Sequence, residues 1–204
     1  MGNPVVVETV LWGFPLELRM FGLFALLVGC CIYPLYIKAM VQGKQSPPRS
    51  SWWLWFALNS VAFGSRINSG NFDALLFIYT IGSFLIACFT IPYGQKGWTK
   101  LETICTAFVL AAIAVWIMFG ATVATVCSLV GITVAMFPLL ARVLRGEYED
   151  LLAWCIALAS SFMNLADGQL LVSIWFIILQ LTVVLSITYY WKYLPRKCLQ
   201  RKGV

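Results

Sequence analysis

The sequence predicts an all-α integral membrane protein with seven transmembrane helices. They form two parallel three-helix bundles joined by a linker helix, a 3+1+3 layout. Three observations predict it. Hydrophobic residues make up 61% of the 204-residue chain and charged residues only 11%, about half the charge of a soluble domain. That much apolar surface cannot be buried inside so short a chain, so lipid must cover it. Apolar segments of span length recur between polar breaks. And one short phrase is written twice: Tyr33-Pro34-Leu35, two spacers, Lys38, then Phe137-Pro138-Leu139, two spacers, Arg142.

The elements follow in order. Residues 1–18 carry Glu8 and Glu17 and no basic start, so no cleaved signal is expected. They read as an external, interfacial segment. A span needs roughly 20 apolar residues, and seven segments meet or approach that: 20–41, 52–67, 72–93, 101–119, 121–142, 151–166 and 170–191. Gly, Pro, Ser, Asn and charge fill the breaks; the weakest is at Gly120. Residues 19–93 are the first repeat, and 94–119 are a loop and linker helix. Residues 120–192 are the second repeat, and 193–204 form a basic cytoplasmic tail.

The basic residues set the orientation. Alternating sides place only Arg19 and Arg66 on one face. Lys38, Lys44, Arg49, Lys96, Lys100, Arg142, Arg145 and the five basic residues from Lys192 onward fall on the other. Cytoplasmic loops collect Lys and Arg. The N-terminus is therefore expected outside and the C-terminus inside a cell (inner or plasma) membrane. The net charge of +6 is a topology signal, and nucleic acid is not an expected partner. The bilayer is.

Further matches support the repeat. At an offset of 102, Trp52 meets Trp154 and Asn59 meets Ser161. At 98, Gly70 meets Gly168, Phe77 meets Trp175, Gly82 meets Gln180 and Tyr93 meets Trp191. The fourth span has no counterpart. An odd linker gives both copies the same orientation, about an axis along the membrane normal.

The chemistry is sparse. Histidine is absent, which removes the usual general base and the commonest zinc ligand. Six of seven cysteines lie in apolar runs, their number is odd and no Cys-x-x-Cys occurs, so neither disulfides nor a metal is expected. No cofactor is expected, and no acid–base set marks an enzyme. Trp52, Trp53, Trp55 and Trp154 read as an interfacial aromatic belt.

With these residues in view, the chain resembles the SWEET sugar transporters and the wider PQ-loop (MtN3-like) superfamily. Pro34-Leu35 and Pro138-Leu139 stand where those proteins carry a Pro-Gln pair. The local patterns from Pro47 to Trp55, and Glu149 to Trp154, are similar to those of uncharacterised bacterial two-repeat members. The resemblance implies the 3+1+3 fold and transport by alternating access. Half-length relatives dimerise, so a homo-oligomer is a further option. Ser83 and Gln180 stand where SWEETs place paired asparagines.

The second and sixth spans are short and polar, which points to a transport site. Asn59, Ser83, Ser161, Asn164 and Gln180 are the expected substrate-binding residues. Pro34 and Pro138 are the expected hinges, and Arg66 with Asp167 the expected outer gate. No carboxylate is expected at mid-membrane, so the reading is downhill movement of a small neutral or zwitterionic solute. The alternative is a non-transporting scaffold or assembly protein that keeps the fold.

Overall fold

The computed structural model describes residues 6–11, 14–68, 70, 72–95, 99–119, 121–166 and 168–193. An antiparallel hairpin opens the chain, β1 (Val6–Leu11) against β2 (Phe14–Arg19). The hairpin replaces the interfacial segment expected for residues 1–18 with two paired strands over 6–11 and 14–19. Among the described residues eight helices follow: α1 (Met20–Cys30), α2 (Ile32–Val41), α3 (Arg49–Asn68), α4 (Ala74–Tyr93), α5 (Lys100–Phe119), α6 (Ala121–Leu144), α7 (Leu151–Ala166) and α8 (Leu170–Tyr193). The expected basic tail beyond residue 193 lies outside the described residues, as does Asp167.

Among the described residues, five helical segments are long and apolar enough to cross a membrane: Met20–Val41 (α1 with α2), α4, α5, Thr125–Leu144 of α6, and Leu170–Tyr190 of α8. Their outward residues are Leu, Ile, Phe and Met, among them Phe24, Ile104, Phe108, Ile117 and Leu185. No water-facing surface would expose such a belt. The chain is a multi-pass membrane protein. α3 has the length but less apolar character, and α7 is apolar but only 16 residues long.

Prolines treat the first and fifth segments differently. A proline lacks the N–H that would reach the carbonyl four residues back. Before Pro34 the helix breaks at Cys31, whose N–H turns to Val28 O at 3.0 Å. α6 runs through Pro138 unbroken. There the orphaned carbonyl is that of Val134, and the thiol of Cys105 on α5 donates to it at 3.3 Å. Inside a bilayer a freed backbone carbonyl needs such a neighbour.

Packing follows a regular scheme. α3 lies on α4 and on α6; α7 lies on α8 and on α1; α1 and α2 reach α4, and α6 reaches α8. α5 packs on α6 and α3 at the periphery. A Thr99–Glu102 capping box starts it: Thr99 N–H donates to Glu102 Oε2 (2.6 Å) and Glu102 N–H to Thr99 Oγ1 (3.2 Å). Small residues let the inner helices approach. A Cβ on Gly131 would meet Leu58 of α3 at 2.9 Å, and one on Gly29 would meet Ser160 of α7 at 3.2 Å.

The buried faces repeat. Adding 103 to each of the eight buried residues between Gly22 and Met40 gives a buried residue of α6. Subtracting 102 from each of the five buried residues of α7 gives a buried residue of α3. Subtracting 97 from each of the seven of α8 gives one of α4. The last register differs by one from the sequence pairing, so Gly82 matches Leu179 and Ser83 matches Gln180. The repeated phrase is also one residue out of step, since Pro34 and Pro138 are 104 apart. Pro34 and Lys38 are therefore exposed, whereas Pro138 and Arg142 are buried.

Candidate functional site

A cavity of about 80 Å³ lies among the inner helices. α2 contributes Ile32, Tyr33 and Tyr36, and α3 contributes Trp52, Trp55 and Asn59. Tyr79 and Ser83 come from α4, Ile132 and Met136 from α6. α7 supplies Ala153, Trp154 and Ala157, and α8 supplies Phe176, Leu179 and Gln180. None of these comes from α5. The lining starts near the first turns of α3 and α7 and extends to the middle of α4 and α8.

One end of the cavity is aromatic. Tyr36 and Trp52 have ring centroids 4.9 Å apart, Trp52 and Trp55 4.8 Å at 84°, and Trp55 and Trp154 6.2 Å at 75°. Trp52 and Trp55 are three apart on one helix, so they share a face; both are buried, while Trp53 points outward. The belt expected from the sequence is thus mostly an internal cluster. The Trp–x–x–Trp spacing carries that information, since Trp53 falls on the opposite face.

Beneath these rings sits Glu149, only 2% exposed. Tyr36 Oη donates to Glu149 Oε1, and Trp154 Nε1 donates to the same oxygen at 3.4 Å. Arg142, also buried, bonds through Nε to Glu147 Oε2 at 2.7 Å, and Arg145 reaches Glu147 from solvent. Burial pushes the Glu149 carboxyl up to about 6, against the opposing pull of the Tyr36 bond, the Arg142 charge and the Trp154 bond; Asp150 adds a further upward push. Nothing in the sequence singles out Glu149 among the carboxylates of its loop. Its position after a Gly turn gave no sign that the loop folds inward.

The other end is a hydrogen-bond network. Gln180 Nε2 donates to Tyr79 Oη (2.7 Å), and Ser161 Oγ donates to Gln180 Oε1 (2.8 Å). Tyr79 Oη donates to Ala157 O at 3.2 Å. Ser83 Oγ is spent on its own helix, at 2.5 Å from Tyr79 O. Asn59 lines the cavity, and its Oδ1 is buried without a hydrogen-bond partner. The Trp52 indole nitrogen is likewise unpartnered.

Of the five expected substrate-binding residues, Asn59, Ser83 and Gln180 line the cavity. Ser161 stands behind Gln180. Asn164 lies farther off, donating through Nδ2 to Ser173 Oγ at 2.9 Å. Arg66 donates to Gln169, and Asp73 caps α4 through Leu75 and Leu76 N–H, both at 3.1 Å.

The fold and cavity define a multi-pass membrane protein with an internal cavity rich in aromatic side chains. No protein-family model, curated protein or solved structure matches the chain.

Proposed function

We propose that the chain is a membrane transporter of the SWEET-like, PQ-loop-like kind. In this reading α3 and α7 also cross the membrane, making seven spans. α1–α4 and α6–α8 are then two equivalent three-helix units, and α5 is the linker. The N-terminus is outside and the C-terminus cytoplasmic, as the Lys and Arg distribution asks. A small neutral or zwitterionic solute moves downhill as one unit rocks against the other.

The observation that carries this reading is the cavity lining: all six inner helices contribute to it, and α5 contributes nothing. The matching buried registers and the reciprocal packing of α3 on α6 and α7 on α1 support two like units. The aromatic cluster serves as the closure on the Glu149 side, and the Tyr79–Ser161–Gln180 network as the closure on the other. Bending is assigned to the break at Cys31–Pro34; Pro138 is a rigid, thiol-satisfied position. The non-transporting scaffold is favoured by one feature, the small volume of the cavity.

Uptake into proteoliposomes, scanned over small sugars, polyols, amino acids and betaines, tests transport. Saturable flux lost in Asn59→Ala and Gln180→Ala is the expected result. Absence of flux for the whole panel would leave the scaffold reading standing.

A further inference from the structure

We propose that the cavity receives a solute whose positive pole is a compact alkylammonium group, held by aromatic walls that the carboxylate of Glu149 makes electron-rich. The inference rests on the transporter reading only in taking this cavity as the solute site. It selects, within neutral or zwitterionic solutes, the betaine and amino-acid class over sugars and polyols.

Four features of the cavity lead there. Seven of its sixteen lining residues are Tyr, Trp or Phe, and rings that meet nearly at right angles, as Trp52 and Trp55 do, leave π-faces on adjoining walls. Such walls attract an ammonium ion, most strongly where water is excluded. No Lys or Arg is among the lining residues. Two of the rings, Tyr36 and Trp154, donate hydrogen bonds to one buried carboxylate, which raises the electron density of each ring. Arg142, whose charge also acts on that carboxylate, bonds through Nε to Glu147, and Glu149 forms no direct ion pair among the described residues.

Size and polarity agree. At roughly 10–15 Å³ per water, the volume suits a solute of roughly five to eight heavy atoms. Asn59, two turns along α3 from Trp52, offers a buried acceptor with no hydrogen-bond partner for an N–H where the ammonium carries one.

The test uses the purified full-length chain in detergent and two probes of one shape. These are glycine betaine and 3,3-dimethylbutanoate, which has carbon in place of the quaternary nitrogen. Titration calorimetry should give betaine at least tenfold tighter binding than the carbon analogue. Glu149→Gln keeps an acceptor for Tyr36 and Trp154 but removes the charge, and should weaken betaine about tenfold. Should that variant fail to fold, Trp154→Phe, which keeps a ring and loses the bond to Glu149, should weaken betaine about threefold. Equal or tighter binding of the carbon analogue would overturn the inference. So would unaltered betaine affinity in the folded Glu149 variant, or no saturable betaine binding at all. Betaine binding without flux would sink the transporter reading and leave the ligand class standing; flux of a polyol without betaine binding would do the opposite.

Discussion

Residues 20–93 and 121–193 bury corresponding faces, yet they close their loops differently. In the first region the turn after α2 is Gln42-Gly43-Lys44, and its next buried polar residue is Gln45, which donates to Tyr36 O at 3.0 Å. In the second the turn after α6 is Arg145-Gly146-Glu147, and its buried polar residue is Glu149. Tyr36 is held by both, at its carbonyl and at its phenol. The two glycines make the same αL turn: Gly43 N–H to Met40 O and Gly146 N–H to Val143 O, each 2.9 Å. The same backbone turn therefore carries two chemistries, neutral in the first region and charged in the second. Likeness of backbone marks the frame, and the two regions differ in the side chains set on it.

Breaking that frame should produce the largest effects. A Cβ on Gly82 would fall inside the ring of Tyr33, whereas the matching position holds Leu179. Gly82→Ala should destabilise the folded chain by 3 kcal/mol or more, beyond the usual overpacking range of about 1–3, seen as lost monodispersity on size-exclusion chromatography. The turns sharpen the comparison. Gly43 has φ 66° with open space around it; Gly146 has φ 79°, and its Cβ would lie 2.6 Å from Tyr190. Gly43→Ala should cost about 1 kcal/mol, the αL penalty alone, and Gly146→Ala distinctly more, read as the gap between their thermal midpoints.

Glu149 gives a pH signature. Its carboxyl titrates near 6 when folded and 4.5 when free, so the folded state binds the proton more tightly. Stability from this group is complete below pH 4.5 and lost as pH rises through 6. The loss is about 2 kcal/mol. Tyr36, Arg142, Asp150 and Trp154 are the groups that act on it. The thermal midpoint of Glu149→Gln minus that of the native chain should rise across pH 4.5–6 and then level. An effect as small as that of Gly43→Ala is expected at α5. Cys105→Ala leaves Val134 O without its thiol donor, at about 1 kcal/mol, while Cys105→Ser should be near neutral.

Much of the helical frame was legible because apolar length and Gly/Pro breaks are local signals. The expected segment ends fall within a few residues of α3 through α8. Asn59, Ser83 and Gln180 were also legible, as polar residues in otherwise apolar spans. What was hidden depends on contacts distant in sequence. Glu149 meets Tyr36 across 113 residues, and Cys105 meets Val134 across a helix pair. The repeated proline phrase misled by one residue, which turns a helix face by about 100°. It made Pro34 and Pro138 look equivalent although one faces out and the other in.

We propose that the short, polar pair α3 and α7 cross the membrane as the other helices do. Single epitope tags inserted after residues 44, 70, 147 and 168, probed in intact and permeabilised cells, test it. The tags after 44 and 147 should be reached only after permeabilisation, and those after 70 and 168 from outside intact cells. Tags after 44 and 70 on one face of the membrane would contradict it.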